Sequence, residues 1–181
     1  MLTIGRLMKS GVILVVLLAG WPSAGAGLEI KPTYDSSITN LSNSAAVINT
    51  IKQVIGLYQS KLTDDVTVNI TFRNTSTGVA ENTKPTYFIS YTNYLNALKK
   101  DSTTPNDTLA LANLPTQYLD PVIGNAQMLI CQANLKALGF RTGTSPDGVI
   151  SLNTGVMFTS TAGVHFARYD MFAVVAHEIN E

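Results

Sequence analysis

Val66-Thr67-Val68-Asn69-Ile70-Thr71-Phe72 decides the architecture. Its apolar residues alternate with Thr67, Asn69 and Thr71, and a period of two places them on one face of a half-buried strand. Upstream the period changes. Val47, Ile48, Ile51, Val54, Ile55, Tyr58 and Leu62 recur at steps of three and four, the stripe of an amphipathic helix. Asn43 or Ser44 has the short oxygen-bearing side chain that can cap its first turn. A helix and a strand that each carry one apolar face must bury those faces together. The pattern predicts a single α/β (α+β) domain with helices packed on a sheet.

The rest of the chain fits that plan. Glu29 to Tyr34 reads as extended, Asn74 to Lys84 as a polar loop, and Tyr87 to Tyr91 as a short strand. Tyr94, Leu95, Ala97 and Leu98 suggest a short helix ending at Lys99-Lys100, where cations favour the negative end of the helix dipole. Asp101 to Asp107 reads as a surface loop, and Leu109 to Leu114 as a helical turn before Pro115. Asp120-Pro121 and Gly124-Asn125 are turn signals. Gln127 to Leu138 is a strand running into a helix that Gly139 stops. After the Ser145-Pro146-Asp147-Gly148 turn, Val149 to Asn153 is a second strand. Asp170 caps the last helix, whose MFAVVAHEIN is apolar on nearly every side and is therefore expected inside the domain.

The N-terminus has the three zones of an export signal. Arg6 and Lys9 are its positive end, Gly11 to Gly20 (GVILVVLLAG) its apolar stretch, and Ala24-Gly25-Ala26 its small-residue cleavage site. Residues 1–26 are thus expected to be a signal peptide and 27–181 the domain. The protein would be secreted or periplasmic, with no stable membrane anchor after cleavage. An uncleaved signal anchor is the alternative reading. The apolar run is about half the roughly 20 residues that cross a bilayer, and Trp21-Pro22 breaks it. Without Arg6 and Lys9, the 12 Lys and Arg become 10, against 12 Asp and Glu. A chain so close to neutral lacks the clustered cations of a nucleic-acid surface. Cys131 is the only cysteine, so no disulfide forms within the chain. Its apolar surroundings, Met128-Leu129-Ile130, suggest a buried small hydrophobe.

The candidate chemistry lies in the last helix. His177 and Glu181 are four residues apart, hence on one face, and both are metal-ligand types. Glu178 adjoins the first of them, where a carboxylate can take a proton from water that a metal ion has acidified. Burying such groups without a cation is expensive, which argues for a metal. The plainer reading is a helix end with His177 hydrogen-bonded and both glutamates solvated.

YDMFAVVAHEINE, residues 169–181, resembles the active-site helix of metzincin or matrixin-like zinc metalloproteases. It is more similar still to an exported bacterial group in which the helix reads H-E-I-x-E and continues into a V-L-G-like turn. The early helix followed by VTVNITF, the ANLKALGF segment and the DGVISLN strand fit that group loosely. The resemblance implies a zincin-like domain with a mixed, twisted sheet, its C-terminal part missing and the active-site helix at about 169–181. It assigns His177 as first zinc ligand and Glu178 as general base. Glu181 stands where better-known members carry a second histidine, and a carboxylate oxygen can also ligate zinc. His165, in AGVHFARYD, receives no role, and Asp170 reads as a helix cap.

The expectation is therefore a secreted zinc-dependent metalloendopeptidase homologue acting on protein or peptide substrates, with His177 and Glu181 on the metal and Glu178 moving the proton. With two of the usual three ligands, it is expected to be weak or inactive by itself. The alternative is a non-catalytic exported binding or surface protein with a zincin-like fold.

Overall fold

A computed structural model describes residues 27–181 except Gln117, Ile123 and Thr161; the signal peptide read over 1–26 lies outside the described residues. The alternating stretch forms its strand, and the stripe before it forms its helix. In chain order the elements are β1 (Glu29–Tyr34), α1 (Ser36–Thr39), α2 (Ser44–Gln59), β2 (Thr67–Asn74), β3 (Ala80–Thr83), β4 (Thr86–Ser90), α3 (Tyr91–Asp101), α4 (Pro105–Asn113), β5 (Gln127–Cys131), α5 (Gln132–Ala137), β6 (Gly148–Leu152), a 3-10 turn (Thr154–Val156), β7 (Met157–Phe158), β8 (Tyr169–Asp170) and α6 (Met171–Asn180).

The main sheet has four strands in the order β1-β2-β6-β3. β1, β2 and β6 run parallel, with Tyr34 opposite Phe72 and Phe72 opposite Ile150. β3 closes one edge antiparallel, with Asn82 opposite Ile150. The sheet is therefore mixed, and helices pack on it as the periodicities require. Ile30, Ile70, Phe72, Ile150 and Leu152 from the strands meet Val47, Ile51, Val54 and Ile55 of α2 and Met171 and Val175 of α6 in one buried cluster. Fully burying an Ile or Phe side chain stabilises by about 1.5–3 kcal/mol, so this cluster carries most of the drive to fold.

Between β3 and β6 the chain builds a satellite. β4 and β5 pair as an antiparallel ribbon, and Ile89, Ile130 and Leu135 form its small core with Tyr87, Tyr94 and Met128. A buried polar network ties it to the sheet. Lys136 Nζ lies 2.6 Å from Asp147 Oδ2, with side chains 6% and 1% exposed. Asp147 also accepts from Asn69 N at 2.8 Å and from Gln132 Nε2 at 2.9 Å. Paired and hydrogen-bonded in this way, the two charges can stay inside.

Several sequence expectations need correction. The polar loop over Asn74 to Lys84 contains β3, an edge strand whose Glu81 and Thr83 face solvent and whose composition shows no apolar alternation. The loop expected over Asp101 to Asp107 is shorter, because Asp101 ends α3 and α4 begins at Pro105. Thr104 and Asp107 form a capping box and Pro105 takes the first turn. Tyr91 opens α3 instead of ending a strand, because Ser90 accepts from Asn93 N and caps the helix there. Asn43 occupies the N-cap of α2 without a side-chain cap bond. Leu62 lies beyond that helix and is exposed. Cys131 ends β5 half-buried, less enclosed than its neighbours implied.

Candidate active site

α6 starts where Asp170 accepts from Phe172 N at 2.9 Å, an N-cap that satisfies one of the free N–H groups of the first turn. Met171 and Val175 then anchor it in the core. Two further bonds hold its far end. Tyr58 Oη donates to Ala176 O at 2.8 Å, and Asn82 Nδ2 donates to Glu178 O at 2.8 Å. The second satisfies a carbonyl of the kind a helix leaves free in its last turn.

The helix is not buried all round, contrary to the expectation from its composition. Met171, Val175 and Glu178 are buried at steps of four and three, while Ala173, His177 and Asn180 lie exposed. The small Ala173 and the polar His177 and Asn180 can face water at little cost, so the chain spends its core contacts on the opposite stripe. Of His177, Glu178 and Glu181 only Glu178 is buried, so the cost of burial without a cation falls on it alone.

His177 and Glu181 are brought together. Nε2 of the imidazole lies 3.3 Å from Oε1 of Glu181, with side chains 70% and 45% exposed. The contact is ionic only when the imidazole is protonated, and at this exposure such a helical pair contributes a few tenths of a kcal/mol (~0.3). Lys84 Nζ stands 3.9 Å from the other carboxylate oxygen, Oε2.

Glu178 is adjacent in sequence but roughly 100° around the helix, on the buried stripe. Burial pushes its carboxyl above the usual carboxylate range, and the negative Glu181 adds to this, while His177 and Lys84 pull the other way and Glu81 adds a little more. A cavity of about 130 Å³ opens beside Glu181, with Ile70, Ile150, Ile179, Cys131 and Asn134 in its wall.

The other candidates fall away from this group. His165 precedes α6 in an exposed loop, its ring 5.7 Å from that of Phe158 and its Nε2 3.2 Å from Ala162 O. Asp170 is the cap expected of it. Asn82, Glu81 and Lys84 belong to the site's surroundings, and their own residue types give no sign of it. Only the pairing of β3 on β6 carries them to α6, and no local pattern in AENTK announces that pairing. Among the described residues, no three His, Cys, Asp or Glu side chains converge to hold a metal ion. Comparison with protein-family models, with curated proteins and with solved structures gives no match.

Proposed function

We propose that this protein is an exported zinc-dependent peptidase homologue in which His177 and Glu181 hold the metal and Glu178 handles the proton. The observation that carries the reading is the 3.3 Å separation of His177 Nε2 and Glu181 Oε1. Nitrogen and oxygen donors at ordinary zinc distances, set at a tetrahedral angle, lie about 3.3 Å apart. The pair is therefore spaced for one ion, on a face open to solvent and substrate. When bound, zinc supplies Lewis acidity that polarises a peptide carbonyl and brings water's acidity toward neutrality.

The chain's own residues do the rest. Asn82 and Tyr58 hold the backbone of the last turn of α6, from which the imidazole and carboxylate project. Glu178, held in low-dielectric surroundings, binds a proton more tightly than a solvated glutamate. A raised proton affinity is the direction that suits a group which must accept a proton and then return it. The resemblance of residues 169–181 to the zinc-helix of matrixin-like proteases, and a mixed sheet with helices packed on it, support the same reading. Two donors are one short of the usual three, so a third group outside this pair is part of the proposal.

The deciding experiment is metal analysis of the purified protein. Stoichiometric zinc that is lost in His177→Ala supports the reading; absence of zinc at every pH near neutral refutes it. In that event the alternative, a non-catalytic exported binding protein, gains from a separate feature. Phe88 and Leu129 sit directly opposite each other on the β4–β5 ribbon, 72% and 54% exposed, a cross-strand apolar pair turned to solvent.

A further inference from the structure

We infer that Lys84 is a built-in counter-cation for the carboxylates at the end of α6 and competes there with a divalent metal ion. The inference rests on the reading of His177 and Glu181 as the metal-holding pair. Lys84 is not a loosely placed surface lysine. Its side chain is 31% exposed, and the backbone on both sides of it is pinned. One residue earlier, Thr83 pairs with Val149 at the end of β3; one residue later, Pro85 O accepts from Gln132 N at 2.9 Å. Proline also keeps the backbone of the residue before it extended, so the Cα of Lys84 has a fixed place beside the end of α6.

The carboxylate of Glu181 is shared. Oε1 faces the imidazole at 3.3 Å and Oε2 faces the ammonium at 3.9 Å. At that distance the ammonium acts as a point charge and not as a hydrogen-bond donor that fixes a rotamer. Its effect on the pair is therefore electrostatic. Glu81 and Glu178 are the other acidic groups close by, and Glu178 feels Lys84 as an attractive charge. In the metal-free protein, Lys84 offsets the mutual repulsion of these carboxylates. A divalent ion entering between His177 and Glu181 would meet a like charge a few ångströms away, and like charges at that range repel even through partly hydrated surroundings. Lys84 thus lowers the metal affinity of the site and keeps binding reversible.

The test is metal titration of the purified protein, by calorimetry with Zn²⁺ and by the visible absorption of Co²⁺. We expect Lys84→Met to tighten Kd about tenfold, Lys84→Arg to restore the wild-type value because the charge is kept, and His177→Ala to weaken binding in both backgrounds. Should Lys84→Met not fold by circular dichroism, Lys84→Gln carries the same expectation. If His177→Ala abolishes binding while the uncharged Lys84 variants bind as wild type or more weakly, the role given to Lys84 is wrong and the metal pair stands. If His177→Ala leaves affinity unchanged, or no variant binds either metal, the metal pair itself falls and this inference with it.

Discussion

Asn82 Nδ2 donates to the main-chain carbonyl of Glu178 at 2.8 Å, so the edge strand of the sheet holds the last turn of the helix that carries the candidate site. The same amide is crowded from behind. A Cβ at Gly148 would lie 3.1 Å from Asn82 Oδ1, and that oxygen is buried without a hydrogen bond. Asn82 is thus held between two elements with little room to move.

Asn82→Ala should destabilise the protein by about 1 kcal/mol, the usual net worth of one partly buried hydrogen bond. Gly148→Ala should cost a similar amount, roughly 1 kcal/mol, by pressing on the anchored amide. The two effects should not add, because shortening Asn82 removes the atom that the new methyl group meets. Urea denaturation of both single variants and the double variant checks this. Strict additivity would show that Asn82 is free to move aside.

Lys136→Met should be far more damaging. It leaves Asp147, with a side chain 1% exposed, as a buried charge without its cation. Breaking one side of such a pair costs about 3–5 kcal/mol, a large share of a domain's stability. A urea midpoint close to wild type would mean that the bonds from Asn69 N and Gln132 suffice to hold the carboxylate.

α4 should be acid-sensitive through Asp107. Its carboxylate accepts from Thr103 N at 3.0 Å and from Thr104 N at 2.8 Å. These bonds hold its pKa below the ordinary 3.8. A group whose folded pKa is lowered contributes stability above its unfolded pKa and loses it as pH falls through the folded one. Protection of the amides over Leu109 to Asn113, measured as exchange relative to the intrinsic rate at each pH, should therefore fall on acidification below the ordinary carboxylate range. In Asp107→Asn that pH dependence should vanish. An unaltered profile in the variant would place the acid sensitivity elsewhere.

Glu178→Gln separates the proton role proposed for Glu178 from the metal role proposed for His177 and Glu181. Any zinc-dependent peptide cleavage by the protein should fall by about 10²- to 10⁴-fold, the usual worth of a general base, while zinc binding persists. The variant should also be at least as stable as wild type near neutral pH, because an amide in that buried position carries no charge to desolvate. Cleavage that survives unchanged would remove Glu178 from the mechanism.

The amino-acid order by itself determined those elements whose own residues carry a period or a stop. β2 and α2 are written in alternation and in a three-four stripe, and both form. β6 follows its turn, and Asp170 caps α6 as its chemistry suggests. Gly139 ends α5 with φ +74°, a left-handed conformation that suits glycine, and Phe140 N closes back on Leu135 O at 2.8 Å. Each of these is decided within a few residues along the chain. The order of strands, the edge position of β3 and the face that α6 turns to the core were decided only by tertiary structure. Ala80 to Thr83 has no apolar rhythm and becomes a strand because β6 offers it an edge. MFAVVAHEIN is apolar enough to be buried on any side, and α2 and the sheet select the Met171, Val175, Glu178 stripe. That choice leaves His177 beside Glu181 in solvent and brings Asn82 and Lys84 to them from 93 or more residues away in the chain. Contacts of that separation have no local signature, since they depend on which surfaces remain to be covered once the periodic elements have packed.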